Sequence, residues 1–368
     1  MDSLWFELAV STIKALVVLL MVLQLAGMLG WVERKGSALI QDRIGANRAS
    51  IFGFAGAGLI NTMMADPLKF LTKEDLIPEG VDHLLHTLAP AVHLFPALVT
   101  FAVIPFGDVL VIGDHTINLQ VAPLNVGILF ILAMVSLGVY GVVLGGWASN
   151  NRWSLLGGIR GSAQMISYEI AMGLALVGVV LTYDTFDLQE MARRQGELIW
   201  GWLPAWGIFL QPLAFLILFA AGIAESKRIP FDLPESESEL VSGFFTEYSG
   251  AKHLMFMMSD FVEVVLVAAL VTTLFFGGWQ VPYLGREGFH FPWGTAIALP
   301  SLVVAILQIL SFSVKLVFFT WLQIVIRWTL PRFRYDQLMR LGWKGLLPLS
   351  LLNVVVSAAV VLLREGRT

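Results

Sequence analysis

Apolar residues in this chain come in long unbroken stretches rather than at helical or strand spacing. Such runs occupy about 9–31, 88–106, 127–147, 163–183, 206–224, 254–277, 301–326 and 346–363. Each is close to the roughly 20 residues that an α-helix needs to cross the hydrocarbon of a bilayer. The pattern predicts an all-α polytopic membrane protein, one membrane domain with eight transmembrane helices. The first run lacks a basic flank and continues to Glu33-Arg34-Lys35, so it reads as a spanning helix ended by that charged cluster, not as a cleaved leader.

Two connections break the simple scheme. Within the first, roughly 32–87, Thr62, Asp66, Lys69 and Lys73 recur at helical spacing, with Ile60, Met64, Pro67, Leu68 and Leu71 on the other side. This predicts an amphipathic helix over about 52–73, lying in the membrane interface and kinked at Pro67. A helix packed on the end of the bundle fits the same pattern. The other connection, 225–253, is an acidic loop that is expected to be ordered. Up to Gly250 it carries Glu225, Asp232, Glu235, Glu237, Glu239 and Glu247 against Lys227 and Arg228, a surplus of four acids that equals the net charge of −4 of the whole chain. Within the runs, Pro90, Pro96 and Pro105 predict a bent second helix, and the Gly- and Ala-rich third run predicts close helix packing.

Composition agrees with the pattern. The chain is 57% hydrophobic and 14% charged, with a mean hydropathy of +0.78, far from the soluble norm of about 45–50% apolar and about 25% charged. Cysteine is absent, which excludes disulfides, thiolate nucleophiles and cysteine-ligated iron–sulfur clusters in this chain. Neither a GxGxxG nor a GxxxxGK[ST] fingerprint is present, and no internal repeat is apparent. His83, His86 and His93 lack the spacing of a metal site and read as interfacial histidines. The connections after the first, third, fifth and seventh runs hold 16 of the 23 Lys and Arg residues. The positive-inside rule then places the acidic loop in the cytoplasm and both termini on the other side.

Charges at membrane depth are the candidate chemistry, because each costs at least about 2.5–3.5 kcal/mol to insert. Glu169 lies six residues into the fourth run, about 9 Å from its start. Asp260 and Glu263 share one face of the sixth run at i, i+3, and Glu225 closes the fifth. Carboxyls gathered at one depth repel one another and lose hydration, conditions in which acids exchange protons near neutral pH. These residues therefore read as a proton path, with Lys315 as the basic counterpart. The competing reading is local pairing, of Glu169 with Arg160 and of the loop acids with Lys227, Arg228 or Lys252. Glu235, Glu237 and Glu239 alternate as an extended segment with one wet side would.

Several blocks together carry a resemblance: Glu33-Arg34-Lys35, QDRIGANR at 41–48, Ala65-Asp66 with Lys69, GWASNNRWSLLGG at 146–158, SAQMISYEI at 162–170, PFDLPESESELVSGF and TEYSG in the acidic loop, and RWTLPRFRYDQLMRLGWKGLLPLSLLN at 327–353. In these the chain resembles the family of H-type membrane subunits of bacterial NADH-quinone oxidoreductase, respiratory complex I, over nearly its whole length. The resemblance implies a multi-pass component of the bacterial inner membrane, not catalytic alone. Its partners would be the hydrophilic-arm quinone-site subunits, which bring flavin and iron–sulfur clusters, and neighbouring membrane-arm subunits. The substrate would be a quinone, with no metal or covalent cofactor in this chain. Arg34, Arg43 and Asp66 match chamber-side positions of the family, and Glu169, Glu225, Glu235, Glu237, Glu239 and Glu247 match its acidic proton route. Arg34 and Arg43 are expected to hold loops at the chamber mouth through carboxylate contacts; anchoring the topology is the alternative role.

The chain also departs from the family pattern. Ser50-Ile51 and Phe54 to Ala57 stand in place of Gly-Pro and Leu-Leu-Gln-Pro, Ser226-Lys227 in place of Thr-Asn, and Asp260 in place of Glu. The equivalent component of a membrane-bound hydrogenase-type complex is the nearest alternative. An autonomous ion channel or carrier and a structural anchor are readings of other classes.

Overall fold

A computed structural model describes residues 2–46, 58–112, 115–199 and 201–365. Among them seven helices are long and apolar enough to cross a bilayer: α1 (Asp2–Ile40), α3 (His83–Val99, extended by a 3₁₀ turn to Ala102), α4 (Gly127–Ala148), α5 (Arg152–Tyr183), α10 (Gly250–Phe275), α11 (Ser301–Thr329) and the Tyr335–Leu363 segment. That last segment joins α12 (Tyr335–Arg340) to α13 (Leu347–Glu365) through a π-helical stretch, Leu341–Leu346. The run expected at 206–224 is not one helix. It divides into the single turn α7 (Gly207–Leu210) and the 14-residue α8 (Pro212–Glu225), with Gln211 at φ −136° and ψ 54° between them. Pro212 has no N–H to continue the ladder and its ring clashes with the preceding turn, so the helix restarts there.

Helix α1 also departs from expectation. It passes through Glu33-Arg34-Lys35 and ends at Ile40, where 39 residues give a rod about 58 Å long. Helix α2 (Gly58–Thr72) packs on α1 and α10, with Met64, Leu68 and Leu71 exposed on its outer face and Pro67 inside it. The start of the predicted amphipathic helix, 52–57, and the departures at Ser50-Ile51 and Phe54 to Ala57 lie outside the described residues.

Helix α10 is the centre of the bundle. Every residue from Ser259 to Phe275 is buried, against α1, α3, α8 and α11. Small residues bring neighbouring helices into backbone contact. A Cβ on Gly141 of α4 would lie 2.6 Å from the Cβ of His93 on α3, and this closeness lets the His93 ring reach the Gly138 carbonyl.

The connections gather in two groups. Those after α3, α6 (Leu188–Arg194) and α10 carry short antiparallel hairpins, β1 (Val109–Ile112) with β2 (His115–Asn118), β3 (Leu198–Ile199) with β4 (Leu203–Pro204), and β5 (Leu284–Gly285), β6 (Gly288–His290) and β7 (Ala296–Ala298). Buried Asp108 ties this end together. Its Oδ1 accepts from Arg193 at 2.7 and 2.9 Å and from Gln189 at 3.2 Å, its Oδ2 accepts from Arg286 at 2.8 Å, and its backbone N–H donates to Gln308. Burial by itself would raise the Asp108 carboxyl, but the hydrogen bonds and charges of Arg286 and Arg193 hold it below the usual carboxylate range.

The acidic loop folds at the opposite end. Gln164 of α5 donates to the carbonyls of Ala224 and Phe231, Arg332 donates to Asp232 at 2.6 Å, and Phe244 is fully buried in a cluster with Val142, Met165 and Phe256. Gly243, at φ +59°, lies so close to the Pro234 carbonyl that any side chain would collide with it. Residues 237–240 form one helical turn, α9 (Glu237–Leu240), in place of the extended segment suggested by the alternating acids.

Candidate functional site

A cavity of about 530 Å³ opens between α1, α2 and α10, within the range of small-molecule sites, about 300–1,000 Å³. Its apolar wall is Pro67 and Phe70 of α2, Leu254, Met257, Met258 and Phe261 of α10, and Trp328 of α11. Gly27 and Gly30 of α1 face open space, so the absence of side chains there adds room. Its polar groups are Glu33, Arg34, Ser37, Arg43, Asp66 and Lys69. All three expected chamber residues therefore share one cavity. Arg34 donates to Asp66 at 3.0 Å, the carboxylate contact expected of it. Arg43 does otherwise: its side chain reaches the Gln41 carbonyl oxygen at 2.8 Å and the Ser37 hydroxyl at 3.5 Å, neither of them a carboxylate.

Glu33 lines this cavity and accepts from Arg327 at 2.6 Å and from Arg228 at 3.5 Å. The Arg228 guanidinium sits 4.3 Å over the ring of Phe261, which forms part of the same wall. Behind Arg228, within its electrostatic reach, is Asp260.

Asp260 belongs to a compact buried cluster. Lys227, fully buried, donates to Glu263 at 2.7 Å, lies 3.1 Å from Asp260 Oδ1 and 3.3 Å from His93 Nε2. His93 Nε2 is also 3.5 Å from Asp260 and 3.6 Å from Glu263. The other ring nitrogen, Nδ1, is 3.0 Å from the Gly138 carbonyl, an acceptor only, so Nδ1 carries a proton there and Nε2 is the nitrogen turned toward Lys227 and the two carboxylates. The i, i+3 pair on α10 thus does share a face, and Lys227 is its cation. Lys315 is not: its ammonium donates to the carbonyls of Phe276, Gly278 and Gln280, closing the end of α10. The reading of His93 as an interfacial histidine is also corrected, since its side chain is fully enclosed between α3, α4 and α10.

Glu225 closes α8 two residues before Lys227. It is buried, and neither carboxyl oxygen has a hydrogen-bond partner among the described residues. Glu263 and Glu169 are both within its electrostatic reach. Glu169 is half-buried and takes a short hydrogen bond from the Ser136 hydroxyl of α4. Arg160, offered by local pairing as its partner, bonds Glu239 instead at 2.8 Å.

The remaining loop acids differ in setting. Glu235 interacts with Asp260 and Asp232. Burial, then the charges of those two acids, pushes its carboxyl well above the usual range, with Arg228 acting the other way. Burial likewise raises Asp232 in spite of Arg332. Glu239 is exposed, Glu247 accepts from Asn151 at 2.5 Å, and the Glu237 side chain lies outside the described residues. The structure therefore brings Asp260, Glu263, Glu225 and Glu235 together, with Glu169 beyond Glu225, and leaves Glu239 and Glu247 at the periphery.

A profile of the NADH dehydrogenase family matches residues 13–358. Similar proteins include the H-type subunit of NADH-quinone oxidoreductase from Bdellovibrio bacteriovorus, 42% identical with 97% of each chain covered. The first of the H-type subunits from Geobacter metallireducens is 44% identical over 99% of this chain and 100% of the relative. The corresponding protein from Cytophaga hutchinsonii is 44% identical over 90% and 91%. The match is nearly end to end and it falls on a helical membrane protein, so this chain belongs to the NADH dehydrogenase family, as an H-type subunit of the multi-subunit enzyme complex NADH-quinone oxidoreductase.

Proposed function

We propose that the cavity between α1, α2 and α10 is this chain's share of a quinone-binding chamber, and that the buried acids couple quinone reduction to proton translocation. The observation that carries this reading is the series of charged groups leading inward from the cavity wall. Glu33 contacts Arg228, Asp260 lies within the electrostatic reach of Arg228, Asp260 and Glu263 share Lys227, and Glu225 feels the charges of both Glu263 and Glu169. A change of charge on a quinone at the wall acts on this series through a medium of low dielectric, where Coulomb interactions are strong. Loss or gain of a proton at one carboxyl then alters the next. The chamber would be completed by the hydrophilic-arm subunits that hold flavin and iron–sulfur clusters, docked at the acidic-loop end. That end would face the cytoplasm, both termini would lie across the bacterial inner membrane, and the protons would pass on to neighbouring membrane-arm subunits.

The test is Glu169→Gln in the assembled complex, with quinone reduction and proton pumping measured together. The expected outcome is a pumped-proton yield reduced about tenfold or more, the scale of removing a positioned proton-transfer group. Values equal to the parent in both measurements would remove Glu169 from the route.

A further inference from the structure

Lys227 follows α8 in a left-handed backbone conformation, φ +52°, which a residue with a Cβ adopts at a cost and which asparagine or glycine adopts more readily. The conformation turns its side chain into the bundle, where no part of it is exposed. Groups from each neighbouring element face the ammonium: His93 from α3, Asp260 and Glu263 from α10, and Glu225 from α8, with Arg228 beside it and Glu235 beyond Asp260. The nitrogen and oxygen atoms that His93, Asp260 and Glu263 point at this space all lie within 4.8 Å of one another. The three form a cation site, and the chain fills it with its own lysine.

We propose that Lys227 is a positioning residue, a permanent internal counter-cation that keeps Asp260 and Glu263 charged and immobile, so that Glu225 is left as the proton-exchanging group of the cluster. This rests on the proton-route reading above and divides its acids into two kinds. With Lys227 present, two carboxylates share one ammonium beside the His93 ring. Without it, two carboxylates would stand side by side in the bundle with no cation between them, and uptake of one proton restores the original charge.

The experiment uses the assembled complex carrying Lys227→Met, Lys227→Asn, or Lys227→Met together with Glu263→Gln. Asparagine suits the left-handed backbone and keeps the test usable if methionine hinders assembly. Infrared absorption at neutral pH, with the deuterium-sensitive carboxylic-acid band as readout, is expected to gain one protonated carboxyl per complex in each single variant. The double variant, which removes one anion along with the cation, is expected to lose that gain. An unchanged carboxyl band in the assembled single variants, or a proton found on His93 in its place, overturns the proposal. The band is read without turnover. The charge assignment can therefore fail while the Glu169 test succeeds, and the reverse.

Discussion

Both ends of this bundle bury a carboxylate among arginines, lysines and amides, yet the two sites are built differently. At the hairpin end Asp108 accepts from Arg193, Arg286 and Gln189, and each of its oxygens is engaged. At the acidic-loop end Lys227 donates to Glu263 and lies 3.1 Å from Asp260 Oδ1, which accepts no hydrogen bond, while Glu225, equally buried, has neither oxygen bonded among the described residues. Burial is common to both; completeness is not. A fully bonded buried anion holds loops together, because every alternative leaves charge unpaired. A carboxyl with no donor among the described residues does not tie elements together in that way, which suits the proton-exchanging role proposed for Glu225.

The contrast can be broken or sharpened by exchange of single groups. Glu225→Gln keeps the side-chain volume and removes a titrating site. In the assembled complex it is expected to lower proton pumping about tenfold or more, with the unfolding midpoint of the complex near that of the parent. Asp108→Ala should do the reverse. It removes the acceptor shared by Gln189 and two partly exposed arginines and is expected to destabilise the hairpin end by about 1–2 kcal/mol, read as a lower midpoint in thermal denaturation, with the pumped-proton yield of surviving complex retained. If the two variants lose the same property, the distinction fails.

A smaller effect is expected at the cavity. Asp66→Asn weakens the contact with Arg34, and the KM for quinone should rise about threefold, equivalent to less than 1 kcal/mol, with little change in kcat. The smallest effect concerns pH, where the two ends have opposite signs. The Asp108 carboxyl is held below its unfolded value, so its contribution to stability is present above about pH 4 and is lost as pH falls through its folded pKa. Glu235 is raised in the folded chain. Its charging therefore costs nothing below about pH 4 and destabilises the fold increasingly as pH rises toward its folded pKa. Glu235→Gln should thus be slightly more stable than the parent at pH 8 and equal to it near pH 4, in midpoints measured across that range.

Much of the helical plan was legible because membrane helices announce themselves by sheer apolar length. The exceptions have local causes. The break at Gln211 had its signal in Pro212, hidden within a run whose hydropathy gave no hint of interruption. The extension of α1 past Glu33-Arg34-Lys35 reflects partners that arrive from far along the chain: Arg228 and Arg327 neutralise Glu33, and Asp66 meets Arg34, so the charges need not end the helix. The chamber residues Arg34, Arg43 and Asp66 and the acids Asp260 and Glu263 were legible by type and position. Their partners were not, because pairing in a bundle is set by helix rotation. Lys315 stands in a spanning helix and looked like the cation of the acidic group, but it faces the end of α10. Lys227, by sequence one of three pairing candidates for the loop acids, is in fact the centre of the cluster. His93 carried a readable sign, a histidine deep within an apolar run opposite the glycines of α4. Nothing in the spacing of Asp108, Arg193 and Arg286 foretold their meeting.

Helix α10 presents Phe261 to the cavity and Asp260 to the buried cluster, consecutive residues on two sides of one rod. The partition between the two compartments is therefore a single helix thick. A roll or slide of α10 by a fraction of a turn would displace the floor of one chamber and the charges of the other in the same movement.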